Sequence, residues 1–282
     1  MKSLAVGFIT VLAVCSMVWS APITRTYSTS DTGGKDSAIG NSLGSAGVSS
    51  SIRVAKPGGQ SKGLYDFGNE ATMQANLLAD CIAQGFINPG TEIVDALAAG
   101  AILVRIGLNH SGNFAWDATR TVRVGVFESQ TAWTEGNGAS ADATTLQGTQ
   151  LAANYLSASE VSGGPPAVRW QQALGTDLTN FDGLTRVYNG TAMQGFNRYV
   201  YSWVYLDQAV WQTYMFSTAA GPGLTTATTD NFGVGDDNLG VYTRNQNSSQ
   251  SPKLEVTVYV PEPATMAVLL VGGIATLIRR RR

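Results

Sequence analysis

Apolar and polar residues alternate with a period of two along most of this chain. From Arg120 to Phe127, Val122, Val124 and Val126 fall on one face with Thr121 and Arg123 opposite, as a half-buried strand requires. Lys253 to Val260 repeats the pattern, with Leu254, Val256, Val258 and Val260 set against Glu255, Thr257 and Tyr259. Ala101 to Leu108 is a more continuous apolar run and predicts a strand covered on both sides. Turn clusters separate these runs, such as Glu135-Gly136-Asn137-Gly138, Ser162-Gly163-Gly164-Pro165-Pro166 and Gly221-Pro222-Gly223. One segment changes period: in residues 69–84, Met73, Leu77, Leu78, Cys81 and Ile82 recur at helical spacing and Gly85 closes the run. A second short turn of helix is expected at Glu92 to Leu97. Residues 28–63 are rich in Ser and Gly around apolar spots at Ala38-Ile39 and Ser51 to Val54, which fits a flexible leader or short strands joined by glycine turns. The pattern predicts a mainly β, antiparallel, two-sheet sandwich with a short helical insertion at 69–84, and shows no repeat of 20–50 residues.

The two ends follow different rules. Met1-Lys2 begins with a positive charge, an apolar run extends to Val18, and small residues stand at Ser20 and Ala21. This is the layout of a secretory signal, so residues 1–20 are expected to form a signal helix that signal peptidase removes after Sec-dependent export. At the other end Pro261-Glu262-Pro263 precedes an uncharged run, Ala264 to Ile278, and then Arg279, Arg280, Arg281 and Arg282. A helix over 264–278 covers roughly 22 Å, and snorkelling arginines reduce the length needed to cross the bilayer. The arginine cluster is expected to stay cytoplasmic, with residues 21–260 on the far side of the membrane.

Composition adds limits. Charged residues make up 13% of the 282, half the usual share of about 25%. A single histidine, His110, leaves no material for a histidine-based metal cluster. Of the 18 basic residues five lie outside 21–260, and of the 20 acids only Glu262 does, so the exported segment carries a net charge of −6 where the whole chain carries −2. Without a basic stripe, phosphate neutralisation has no basis, and no nucleic-acid partner is expected. Cys15 leaves with the signal, so the thiol of Cys81 is expected to pack as a small apolar group.

The ordered tail of Pro-Glu-Pro, apolar helix and arginine cluster resembles the PEP-CTERM sorting signal of bacteria. That resemblance implies recognition through Pro261, Glu262, Pro263 and Arg279 to Arg282 by an exosortase-type membrane peptidase, and an exopolysaccharide-rich surface or matrix as destination. The exported segment resembles DNRLRE-type domains, jelly-roll-like modules related to some carbohydrate-binding modules. The residues that carry the likeness are Lys35 to Ile39, Ile52 to Val54, Leu64 to Phe67, Ala101 to Val104, the valine strand leading to Trp133-Thr134-Glu135-Gly136, Val168-Arg169-Trp170 and Pro252 to Val256. The family's arginine–glutamate pair near the last strand reads Arg244-Asn245 here, so a pair formed at that point lacks its acid. The resemblance implies an antiparallel jelly-roll-like β-sandwich over 21–260.

Few residues suggest chemistry. His110 follows an apolar strand in Asn109-His110-Ser111-Gly112 and is expected in an exposed loop; no nucleophile elbow and no zinc motif accompanies it. Glu128, Glu135, Asp177 and Asp182 are the acids available for glycoside chemistry, and their spacing singles out no pair. The cluster Asp230, Asp236, Asp237 and Asn238 offers oxygen ligands for calcium, or a plain Asx-rich turn. Tyr199, Tyr201, Trp203 and Tyr205 alternate along Arg198 to Leu206 and form either a glycan-stacking platform or part of the sandwich interior, core packing being the commoner fate of such a stripe. The expectation is a non-catalytic structural or adhesive module, associated with exopolysaccharide or biofilm and needing no cofactor. A carbohydrate-active enzyme using loop carboxylates and a passive envelope protein are the alternatives.

Overall fold

The structure, a computed structural model, describes residues 21–40, 44–45, 51–55, 62–68, 70–85, 102–111, 124–128, 132–137, 153, 156–160, 168–172, 176–184, 186–189, 199–207, 211, 224–228, 239–246 and 248–259. The signal segment 1–20, the expected turn at 92–97, the calcium candidates Asp230, Asp236, Asp237 and Asn238, and the sorting segment 261–282 lie outside them. No helix among the described residues is long and apolar enough to cross a membrane.

The described chain is mainly β with antiparallel pairing. Five strands come first: β1 (Ile23–Ser28), β2 (Gly34–Gly40), β3 (Gly44–Ser45), β4 (Ser51–Ala55) and β5 (Lys62–Phe67). The Ser/Gly-rich stretch therefore resolves into short strands, not a leader. Helix α1 (Glu70–Ala83) follows at the position its spacing predicts. Next come β6 (Ile102–Asn109), β7 (Val124–Glu128), β8 (Ser157–Ser159), β9 (Val168–Arg169), β10 (Gln171–Gln172) and β11 (Thr176–Asp177). A 3-10 turn at Phe181–Gly183 leads to β12 (Arg186–Asn189), β13 (Tyr201–Tyr205), β14 (Leu224–Thr228), β15 (Leu239–Tyr242) and β16 (Lys253–Val258).

A six-stranded sheet has the order β12-β7-β14-β5-β2-β3, and a four-stranded sheet the order β1-β16-β6-β13. Strands β4 and β15 pair separately, as do β8 with β9 and β10 with β11. The chain divides into two compact units. In the one formed by 1–23, 78–102 and 257–282, Cys81 is buried on α1, where burial and the charge of Asp80 push its thiol up to about 11. Gly85, at a φ of 75°, ends the helix with its amide donating to the Ile82 carbonyl, a C-cap that favours glycine. The other unit, 24–77 and 103–256, holds everything that follows.

Strands β2 and β5, neighbours in the larger sheet, are buried on both faces. Their register pairs Asp36 with Tyr65 and Ser37 with Leu64, so Asp36, Tyr65 and Phe67 share one face and Ile39 and Leu64 the other. On the Ile39 face, Phe127, Trp133, Ala153, Ala158, Trp170, Phe181 and Leu184 complete a buried cluster. Phe181 anchors it, 4.9 Å from the Phe127 ring and 5.1 Å from Trp170 in an edge-on contact. Lys62 lays its ammonium over Phe181 and pairs with Asp182 at 2.9 Å.

The smaller sheet has two unlike faces. Val104, Ile106 and Leu108 on β6, Val204 on β13, and Leu254 and Val256 on β16 are buried on one of them. On the other, Leu103 is 42% exposed, so the continuous apolar run from Ala101 is not covered on both sides as expected. Its apolar residues fall on both faces because strand period, not composition, decides which way each points. His110 also departs from expectation: it is 2% exposed, not a loop histidine. It continues β6 by bridging to Val241, and its carbonyl accepts from the Tyr199 amide at 3.2 Å.

Candidate functional site

Among the described residues strand β13 is the last in its sheet and pairs with β6 alone, placing Tyr201 opposite Asn109, Trp203 opposite Gly107 and Tyr205 opposite Arg105. Val204 turns inward, so Tyr201, Trp203 and Tyr205 stand on the outer face. The sequence pattern alone makes the sandwich interior the commoner fate for these aromatics, and the structure corrects this. They share the face with Leu103, not with Ile106.

Each ring has a neighbour that fixes it. Trp203 lies against Gly107: a Cβ at that glycine would stand 2.8 Å from the indole, so only glycine lets the ring lie this close to β6. The Arg105 guanidinium sits 4.2 Å from the Trp203 ring centre and 5.9 Å from that of Tyr205. Such stacking stabilises by about 0.5–1 kcal/mol at exposed sites. Glu255 of β16 holds the guanidinium from the side, with Nε donating at 2.7 Å and Nη2 at 2.6 Å to the same carboxylate oxygen. Tyr201 packs 5.4 Å from Trp203 and carries the Lys253 ammonium over its ring at 4.6 Å. The Tyr201 hydroxyl is tied down, donating between the Ser251 carbonyl at 2.7 Å and the Ser249 carbonyl at 2.8 Å. Burial pushes this hydroxyl well above the usual phenol range, partly opposed by a hydrogen bond with Asn109. Tyr205 is 54% exposed at the end of the row.

Tyr199 does not extend the stripe. Its φ of 67° is left-handed, uncommon for a residue with a side chain, and it breaks the strand alternation. The ring stacks on Tyr242 instead, 6.1 Å away at 14°. The platform of four aromatics is thus a row of three with a fourth turned aside.

Three of the four acids proposed for glycoside chemistry go to separate partners. Asp177 accepts from Gln171 at 2.7 Å, Asp182 pairs with Lys62, and Glu135 pairs with Arg244 at 2.5 Å. The structure describes the backbone of Glu128 in β7. Among the described residues no group of three or more metal-ligating side chains comes together.

The Glu135–Arg244 pair is the feature that sequence reasoning missed. Arg244 does not lack an acid; its partner comes from over a hundred residues earlier. Strand β3 pairs with β2 at Ile39 and Gly40, and among the described residues no strand lies along the start of β2 on that edge. The two side chains take the strand's place. Glu135 accepts from the Asp36 amide at 3.1 Å, and Arg244 donates to the Gly34 carbonyl at 2.7 Å. Its own amide donates to the Asp36 carboxylate at 2.8 Å, which also accepts from the Thr29 hydroxyl at 2.6 Å. Lys35, between them in sequence, points to the other face and donates to the Trp133 carbonyl at 2.9 Å with its ammonium over the indole. Burial raises Asp36 to about 6, against the lowering effect of Thr29 and Arg244. Burial likewise raises Glu135 to about 7, despite the Asp36 amide and the Arg244 charge. Tyr65, opposite Asp36 and fully buried, is held well above the phenol range by burial and by the Asp36 charge.

No protein-family model matches this chain, and no curated protein matches its sequence.

Proposed function

We propose that this chain is an exported bacterial cell-surface or matrix protein whose segment 21–260 is a jelly-roll-like β-sandwich acting as a non-catalytic, glycan-adhesive module. Its delivery would follow the two terminal signals: Sec export and signal-peptidase cleavage near Ser20 and Ala21, then exosortase recognition of Pro261-Glu262-Pro263, the apolar helix and the arginine cluster. The observation that carries the adhesive reading is the outer face of β13, where Tyr201, Trp203 and Tyr205 stand side by side among Arg105, Lys253 and Glu255. Sugar rings present one apolar C–H face and a polar rim, and a row of aromatics that ends in the exposed Tyr205 ring and is bordered by hydrogen-bonding groups matches both. The meeting of Lys35-Asp36 with Trp133-Thr134-Glu135 in one network supports the likeness to DNRLRE-type domains, since these are among the residues on which it rests.

Two experiments test the reading. Tryptophan fluorescence titrated with matrix polysaccharides is expected to saturate, and to lose its response in Trp203→Ala together with Tyr205→Ala; flat titrations across neutral and acidic glycans would sink the adhesive role. Mass mapping of the mature C-terminus is expected to place it near residue 261. Replacing Pro261, Glu262 and Pro263 by alanine is expected to leave a longer, membrane-held precursor, and normal maturation of that variant would remove the exosortase assignment.

A further inference from the structure

The exposed end of the aromatic row is a small patch with its own chemistry. The Leu206 amide donates to the Val104 carbonyl at 2.8 Å, so the register of β13 on β6 runs on past Tyr205 and sets Asp207 opposite Leu103. That bond makes Leu206 and Val104 a hydrogen-bonded pair. The flanking pairs, Tyr205 with Arg105 and Asp207 with Leu103, are then of the other kind, in which side chains stand closer. All four lie on the outer face, since Val104, Val204 and Leu206 are buried. The Trp211 amide donates to the Asp207 carbonyl at 3.1 Å and fixes the backbone there.

The patch has the size of one sugar ring. The Arg105 guanidinium covers Trp203 and the Lys253 ammonium covers Tyr201, so Tyr205 is the exposed ring of the row. Leu103 beside it is exposed as well and extends the apolar floor. Two residues of strand rise by one strand spacing cover roughly 7 × 5 Å. A stable protein interface needs about 800 Å² per partner, far more than this. The rim is polar in two senses. Asp207 is exposed and accepts hydrogen bonds; Arg105 turns Nε and Nη2 to Glu255 and offers its remaining N–H groups.

Charge is balanced across the whole face but not at this end. Arg105 pairs with Glu255, and Asp207 matches Lys253, which lies over Tyr201 at the far end, about 20 Å away by strand rise. A ligand on Tyr205 meets Asp207 within about 7 Å, and Glu255 already answers the guanidinium, so a carboxylate placed there is repelled. We propose that Tyr205, Leu103, Arg105 and Asp207 form a site for one neutral hexopyranose, and that Asp207 excludes uronic acids from it. The apolar C–H face of the sugar rests on the Tyr205 ring and Leu103, one hydroxyl donates to Asp207, and another accepts from Arg105. This rests on the glycan-adhesive reading above, and names the class of sugar and the residue that sets it. A neutral ring has hydroxyl protons to give Asp207, whereas a uronate brings a like charge.

The test titrates the full-length chain, in a polyoxyethylene detergent that carries no sugar, and follows binding by saturation-transfer NMR. The probes are the methyl glycosides of glucose, galactose and mannose and the corresponding methyl uronosides. At least one neutral glycoside is expected to bind about tenfold more tightly than its uronoside at low salt, a gap that narrows at ~0.5 M NaCl, where the Debye length falls towards ~4 Å. Asp207→Asn, which keeps the shape and removes the charge, is expected to close most of the gap by strengthening the uronoside, with the melting temperature unchanged. Tyr205→Ala is expected to abolish binding of every glycoside. Arg169→Gln, on β9 outside this sheet, is expected to change nothing. Equal affinity within each pair, a gap that survives in Asp207→Asn, or saturation by matrix polysaccharide with no glycoside bound overturns the neutral one-ring site and leaves the adhesive reading standing. No response to glycosides or to polysaccharide overturns both.

Discussion

Two arginine–glutamate pairs among the described residues do different work. Arg244 and Glu135 lie along the bare edge of β2, where their side chains take over the hydrogen bonds of a missing strand. Arg105 and Glu255 lie on the outer face of a sheet, where the guanidinium covers the Trp203 indole and the Tyr205 ring at the end of the row stays exposed. The first pair engages buried backbone groups that have no other described partner on that edge, so its loss exposes unmet donors and acceptors. The second pair bridges side chains that water would serve almost as well. Residue type does not distinguish them; what lies beneath each does.

This contrast can be broken at several points. Arg244→Ala is expected to have the largest effect, about 3 kcal/mol or more in urea unfolding, because it strands Glu135 and the Gly34 carbonyl together. A loss as small as that of Arg105→Ala, about 0.5 kcal/mol, would show that the β2 edge is served from elsewhere. Acidity comes next. Glu135 and Asp36 titrate near 7 and 6 in the fold, against ordinary values of 4.5 and 3.8, so the folded chain holds more protons than the unfolded one between about pH 4 and 7. Stability is then expected to rise as the pH falls from 8 to about 5, the reverse of ordinary acid destabilisation, and to be lost again as the pH climbs through 6–7. Melting curves across that range check the direction, and Glu135→Gln, which imitates the protonated acid, is expected to flatten the dependence.

On the outer face the effects are smaller. Gly107→Ala is expected to cost on the order of 1 kcal/mol, since the indole of Trp203 must lift from β6, and to shift the tryptophan emission. An unchanged spectrum would mean that the ring does not rest on the strand. Tyr205→Ala, at the exposed end of the row, is expected to change stability by less than about 0.5 kcal/mol while weakening oligosaccharide binding. A large loss of stability there would make the row a structural element and not an adhesive one.

Much of the fold was legible from periodicity. The alternation of Lys253 to Val260 placed Leu254 and Val256 inward, and the helical spacing of Met73, Leu77 and Cys81 placed α1 to within a residue. Periodicity says which residues share a face but not which face is covered. That is why the stripe of Tyr201, Trp203 and Tyr205 was open to two readings, and why Ala101 to Leu108 was expected to be covered on both sides. His110 misled for a related reason: a polar residue beside Gly and Ser reads as a loop, yet it extends β6 to a bridge with Val241.

By itself the sequence determined the antiparallel β class, the helix and the acidic charge of residues 21–260, because each rests on local spacing or on composition. Tertiary structure alone decided where Arg244 finds its acid, which way the aromatic row faces, and that Tyr199 leaves it. Those outcomes depend on residues far apart in the chain meeting at a strand edge or sheet face, and local spacing carries no record of such meetings.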